Sequence, residues 1–322
     1  MSPTDNQHTH TDIQHMTDID LTGVFPAMTT PFTPDGRIDH DILAQNAQRL
    51  ETAGVSGLVP AGSTGESATL THDEHIDVIE TVIDSVNDVP VIAGSGSNST
   101  REALNLSERA ADAGADALLL ISPYYNIPEQ AGLKDHYRTI ADAIDIPQIV
   151  YNVPGRTGTN IEPETVATLA SHRNIVGYKA ASGDVGQISS VVEQTRSEAF
   201  YILSGDDILT LPICGLGGSG VISVGANIEP AQTTAMVGAA VSGDYDRARN
   251  LHYQLAPLFE HLFVETNPIP VKAAMEYRDY GPGTLRPPLT DLSDKHRKRL
   301  ESILDDLDAD REMALAGQTE VI

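Results

Sequence analysis

Three features of this 322-residue chain predict an α/β fold of the (β/α)8 TIM barrel class. Apolar strand-like runs alternate eight times with helical patterns in about 220 residues. The turn after the first run, Pro26-Ala27-Met28-Thr29-Thr30-Pro31, is not the glycine-rich phosphate loop that opens a doubly wound sheet. Beyond about residue 244 the alternation gives way to a helical pattern, which predicts a small all-helical C-terminal extension packed on the barrel.

The strand-like runs fall at 23–28, 55–60, 89–94, 116–121, 147–151, 175–180, 201–205 and 220–225. Short, nearly continuous apolar stretches of this kind suit parallel strands, which are buried on both faces. Helical patterns lie between them, near 40–53, 73–86, 100–113, 129–143, 163–171, 185–197, 207–216 and 229–241. Thr71-His72-Asp73-Glu74 reads as a capping box, and Gly54 and Gly114 stand where helices should stop. Gly217-Gly218-Ser219-Gly220 leads into a strand rather than a helix, so it reads as a turn and not a phosphate site. Gly281-Pro282-Gly283 reads as a turn inside the extension. Residues 1–19 are polar, with many histidines and no apolar periodicity, and read as a disordered tail. Its first fifteen residues are an over-called start or a dispensable segment. The expected divisions are a tail at 1–19, a catalytic barrel at 20–243 and a helical domain at 244–322.

The formal net charge of −26 disfavours nucleic acid and anionic lipid as partners, since both reward positive surface. The acid excess is spread along the chain, and lysines number only five against fifteen arginines. That surface resembles cytoplasmic proteins of salt-accumulating halophiles. No run approaches the ~18 apolar residues of a membrane span. The single cysteine, Cys214, excludes an intramolecular disulfide and suits a reducing cytoplasm, the expected location.

Lys179 carries the strongest chemical signal. It stands near the end of Ile175-Val176-Gly177-Tyr178-Lys179-Ala180, which reads as a buried strand. Desolvation there disfavours the ammonium. The residue is therefore either half of a buried ion pair or an amine kept partly neutral to attack a carbonyl and form a Schiff base. Barrel enzymes carry their catalytic groups at the C-terminal ends of strands. Those positions here hold Gly62-Ser63-Thr64-Gly65-Glu66, Tyr124-Tyr125-Asn126, Tyr151, Arg156 and Ser204-Gly205-Asp206-Asp207. The Ser63–Thr64 turn offers backbone N–H groups and hydroxyls to a small anion, or is only a tight capped turn. Tyr151 is a proton carrier or a core tyrosine. Arg156 suits a bidentate grip on a carboxylate, although a lone loop arginine is commonly just solvated. The convergence of these groups at one barrel mouth outweighs each weak signal. Histidines lie mostly in the tail and on helices and show no HExxH pattern, so no metal site is expected, and no cofactor. The elbow motif of serine hydrolases is missing too.

Gly62-Ser-Thr-Gly-Glu66, Tyr124-Tyr-Asn126, Tyr151-Asn-Val-Pro-Gly-Arg-Thr-Gly158, Leu203-Ser-Gly-Asp-Asp207, Gly220-Val-Ile-Ser223 and Asn267-Pro-Ile-Pro-Val-Lys272 surround the strand lysine in order. Together they resemble the dihydrodipicolinate synthase / N-acetylneuraminate lyase family of class I pyruvate aldolases, from about Leu21 to beyond Lys272. The resemblance implies a lyase in which Lys179 forms the Schiff base with pyruvate. Tyr151, Thr64, Ser63 and Tyr125 then serve proton transfer, with Tyr151 linked through Thr64 to a Tyr125 that reaches into the neighbouring subunit. Ser63, Thr64, Arg156, Gly205 and Ile222 bind substrate, and the assembly is a homotetramer, a dimer of dimers. Arg156 and the double tyrosine resemble the synthases, whose second substrate is L-aspartate 4-semialdehyde. Ser63 is the form familiar in the lyases, and Ala180 stands where many synthases have glutamate. The alternatives are a 2-keto-3-deoxy-sugar acid aldolase or N-acetylneuraminate lyase-like enzyme, and a non-catalytic barrel sensing metabolites, which needs no proton relay. The same resemblance implies feedback inhibition by L-lysine, held by Ser67, Ala68, His72, His75, Asn98, Glu102 and Tyr124.

Overall fold

The computed structural model describes residues 19–319, with side chains through residue 309. The tail expected at 1–19 therefore lies, but for its last residue, outside the described residues.

Seven of the apolar runs form strands: β1 (Gly23–Pro26), β2 (Ile92–Gly94), β3 (Ala117–Ile121), β4 (Gln148–Asn152), β5 (Ile175–Ala180), β6 (Tyr201–Ser204) and β7 (Gly220–Ser223). They pair in parallel, in the order β1-β7-β6-β5-β4-β3-β2. The run expected at 55–60 is not a ladder strand. It makes isolated parallel bridges, Val59 to Ala27 on one side and Leu58 to Val91 on the other. Val59 N–H donates to the Pro26 carbonyl at 2.9 Å, and Ile92 N–H to the Leu58 carbonyl at 2.8 Å. Pro26, Pro60 and Pro90 thin the hydrogen bonding on both sides, because proline has no N–H to give. Ala61 then turns the chain at φ 54.

Helices separate the strands: α1 (His40–Thr52), α2 (His72–Ile83), α3 (Thr100–Asp112), α4 (Gln130–Ala143), the short α5 (Pro154–Thr157), α6 (Pro163–Ala170), α7 (Val185–Thr195), α8 (Thr210–Gly215) and α9 (Pro230–Val241). The capping box forms as expected, with Thr71 Oγ1 accepting from Glu74 N–H and the Glu74 carboxylate from Thr71 N–H. Gly54 and Gly114 take positive φ just past α1 and α3.

Strand alternation sorts the side chains between two apolar layers. Leu118, Leu120, Val150 and Tyr178 pack outward with helix residues such as Leu43, Ile79, Leu133 and Val166. Leu119, Ile149, Tyr151, Leu203 and Ile222 meet on the other face. Both faces are buried, as parallel sheets require. Beyond α9, the helices α10 (Tyr245–His261), α11 (Ile269–Tyr277) and α12 (Asp294–Thr319) enclose a second cluster that includes Leu258, Leu262, Val271, Ala274 and Leu300. Among the described residues no helix is long and apolar enough to cross a membrane.

One charged contact ties this helical region to the turn after residue 61. Lys272, on α11, pairs with Glu66, and both side chains are almost wholly buried. Lys272 Nζ also donates to the Thr284 carbonyl at 2.7 Å, and Arg286 N–H to the Glu66 carboxylate at 3.1 Å. Phe32 lies against both cations, 4.2 Å from Lys272 Nζ and 4.3 Å from the Arg286 guanidinium carbon.

Candidate active site

The C-terminal ends of the strands converge on a cavity of about 220 Å³. Lys179, Tyr151, Ser63, Thr64, Arg156 and Gly205 all line it, together with Asp206, Val224 and Asn267. Sheet register brings the first two together. Tyr151 on β4 is the partner of Lys179 on β5, so both side chains leave the same face. Lys179 Nζ lies 4.2 Å from the centroid of the Tyr151 ring.

Lys179 is 5% exposed. Burial pushes its amine down to about 7, resisted by the Asp207 carboxylate and reinforced by Arg156. Asp207 had no assigned role in the sequence. Its carboxylate accepts from Ser223 Oγ at 2.5 Å and from the N–H groups of Val224 and Gly225 at 3.0 and 2.9 Å. Gly205 gives the lysine stem its room: a Cβ there would sit 3.0 Å from Lys179 Cε and 2.8 Å from the Ala181 methyl.

Burial raises the Tyr151 phenol to about 12, against the charge of Arg156 and a hydrogen bond shared with the Ser63 side chain. Thr64 Oγ1 accepts from Asn267 Nδ2 at 2.9 Å, which leaves its own proton free to donate. Tyr125 is 90% exposed at φ 73 and does not line the cavity of its own chain. Ile222 is buried in the interior apolar cluster and does not line the cavity, whereas Val224, just past the end of β7, does. Arg156 is anchored, its Nη2 donating to the Asn267 carbonyl at 2.8 Å. Asn267 thus touches both Thr64 and Arg156, contacts that its sequence position does not announce.

A second cavity of about 420 Å³ adjoins the first and shares Ser63, Ser67, Gly96, Ile121, Arg156 and Asn267 with it. Six of the seven residues expected to bind L-lysine line it: Ser67, Ala68, His72, His75, Glu102 and Tyr124. Asn98 does not, and its carbonyl accepts instead from Asn126 in the double-tyrosine loop, at 3.0 Å. Glu102 is engaged by Ser97 and His72, which hold its carboxyl below the usual range. His75 is buried and donates Nε2–H to the Gly94 carbonyl at 2.6 Å. Gly94 itself lines the first cavity. Among the described residues no group of three or more His, Cys, Asp or Glu is placed to hold a metal ion.

The cavity thus holds an inward amine beside a phenol, two hydroxyls of one turn and an anchored guanidinium. The sequence profile of the dihydrodipicolinate synthetase family matches residues 20–307. The chain belongs to that family. A 4-hydroxy-tetrahydrodipicolinate synthase of Haloarcula marismortui is 67% identical over 295 residues, covering 92% of this chain and 96% of the relative. Among solved family structures, the chloride-inhibited dihydrodipicolinate synthase of Acinetobacter baumannii complexed with pyruvate is 40% identical. It superposes with a TM-score of 0.88 over 90% of this chain and 99% of that one. The enzyme of Cyanidioschyzon merolae with lysine bound is 39% identical, with a TM-score of 0.87 over 89% of this chain and 98% of its own.

Proposed function

We propose that this chain is a 4-hydroxy-tetrahydrodipicolinate synthase, a lyase that condenses pyruvate with L-aspartate 4-semialdehyde through an imine on Lys179. The observation that carries the reading is the Lys179 amine, buried and brought down to about 7 in a cavity that also holds an anion turn and Arg156. The neutral amine attacks the pyruvate ketone while the pyruvate carboxylate rests on the Ser63–Thr64 turn. Loss of water gives the imine, and loss of a methyl proton gives the enamine. Tyr151, still protonated with its pKa near 12, exchanges protons through Ser63. The enamine carbon attacks the semialdehyde, whose carboxylate Arg156 holds. The substrate amine then displaces Lys179 and closes the ring. A guanidinium at the second-substrate side favours an aldehyde bearing a carboxylate over a neutral sugar aldehyde. Sodium borohydride with pyruvate should trap a covalent adduct on Lys179, and Lys179→Ala should lose it while staying folded. An adduct mapped to Lys134 or Lys272 would end the assignment.

The working fold is a closed (β/α)8 barrel in which residues 57–60 act as the missing strand, supported by their bridges to Ala27, just past β1, on one side and to Val91 on the other. The assembly is a dimer of dimers. Its support is Tyr125, an exposed aromatic in the left-handed region beside Ile127, which is 61% exposed at φ 45. Bulky residues hold such backbone only when something over-determines it, and a partner subunit receiving Tyr125 at its active site supplies the reason. The second cavity is the site for L-lysine, with the Glu102 carboxylate facing the effector ammonium. Salt adaptation follows from the net charge of −26 and the halophilic relative. Retained fold in dilute buffer without salt would remove that part.

A further inference from the structure

We infer that Asn267 is a positioning residue whose side-chain amide keeps the Thr64 hydroxyl aimed as a donor into the pyruvate site; the inference rests on the function proposed above. Asn267 is 6% exposed and forms wall of both cavities. Three of its polar groups have separate fates. Nδ2 donates to Thr64 Oγ1 at 2.9 Å, the backbone carbonyl accepts from Arg156 Nη2 at 2.8 Å, and Oδ1 is buried without a protein partner.

The chemistry of a hydroxyl makes the first contact directional. Thr64 has one proton to give and two lone pairs to receive. An amide NH2 only donates, so Thr64 must accept from it, and its own proton is left for another acceptor. Thr64 is 3% exposed, lines the catalytic cavity and belongs to the turn that would hold a carboxylate. A buried donor needs a partner, and the arriving carboxylate is the acceptor available there. Asn267 therefore acts on pyruvate through Thr64 and makes no contact with the reacting atoms. Arg156 is held by the backbone of the same residue. Side-chain substitutions at 267 thus leave the grip on the second substrate in place.

The test is borohydride trapping on Lys179 against pyruvate concentration, without aldehyde, alongside steady-state kinetics with both substrates and thermal unfolding. Asn267→Ala should raise the pyruvate concentration for half-maximal trapping about tenfold, the loss of one buried hydrogen bond. KM for the semialdehyde should stay within about twofold. Asn267→Asp keeps the shape and removes the donor, so it should weaken pyruvate at least as much, and it carries the test if the alanine variant misfolds. Thr64→Val should also weaken pyruvate, and Asn267→Ala should add nothing in that background. An undiminished effect of Asn267→Ala on top of Thr64→Val would overturn the inference. So would a normal pyruvate response in folded Asn267→Asp, because Asn267 would then be accepting from Thr64. Wild-type protein that traps no pyruvate would remove the proposed function and this inference with it.

Discussion

Tyr151 and Lys179 are direct register partners on adjacent parallel strands, and the lysine nitrogen lies 4.2 Å from the tyrosine ring centroid. The pair is the chemical centre of the cavity because both members are forced off their ordinary titrations in opposite directions. Burial lowers the amine to about 7 and raises the phenol to about 12.

The first prediction concerns pH. A lowered lysine pKa means that the neutral, nucleophilic amine is lost as pH falls through about 7. Pyruvate trapping and kcat/KM for pyruvate should therefore drop about tenfold per pH unit below that point and level off above it. Tyr151 stays protonated through this range and should add no limb of its own below about pH 11. An acid limb centred near 10 instead would show an unperturbed lysine.

Gly205→Ala should cripple imine formation without unfolding the protein. The added methyl would come within 3.0 Å of Lys179 Cε, and the displaced amine should lose roughly 100-fold in trapping rate. Unchanged trapping would mean that the lysine stem has another path.

Arg156→Ala should separate the two substrates. Removing the guanidinium should lower specificity for the semialdehyde by about 2–5 kcal/mol while pyruvate trapping persists. Equal loss of both activities would assign the residue a structural role at the Asn267 loop.

Lys272→Met should destabilise the fold by about 3–5 kcal/mol, because it strands the buried Glu66 carboxylate. Glu66→Gln combined with Lys272→Met should recover much of that loss. Denaturant unfolding of the single and double variants at constant salt decides it. Additive losses would show that the two residues act separately.

L-lysine at millimolar concentration should inhibit the wild type. Glu102→Gln and His75→Ala should relieve the inhibition, the first by removing the ammonium's counter-charge, the second by releasing the Gly94 carbonyl at the catalytic cavity. Activity of the wild type flat against lysine would leave the second cavity without an effector.

Lys179 was legible in the sequence because a lysine inside an apolar strand is costly, and cost points to use. Tyr151, Ser63, Thr64, Arg156 and Gly205 were legible from their positions after strands. Asn267 was not, since its bonds span 203 and 111 residues and nothing local marks them. Ser63 and Thr64 look equivalent in the sequence, and only the long-range contact from Asn267 to Thr64 tells them apart. Ile222, expected among the substrate-binding residues, is buried in the interior cluster and does not line the cavity. The run at 55–60 reads as a strand in the sequence, yet its flanking prolines leave bridges in place of a ladder.

The buried pairing of Glu66 with Lys272 also bears on how such chains diverge. Glu66 belongs to the anion turn and Lys272 to a helix 206 residues further on. Recombination that exchanges the C-terminal helices with a relative lacking this lysine would leave a lone carboxylate beneath the active site. The two segments must therefore be inherited together, and a functional chimera needs crossover points that keep both or replace both.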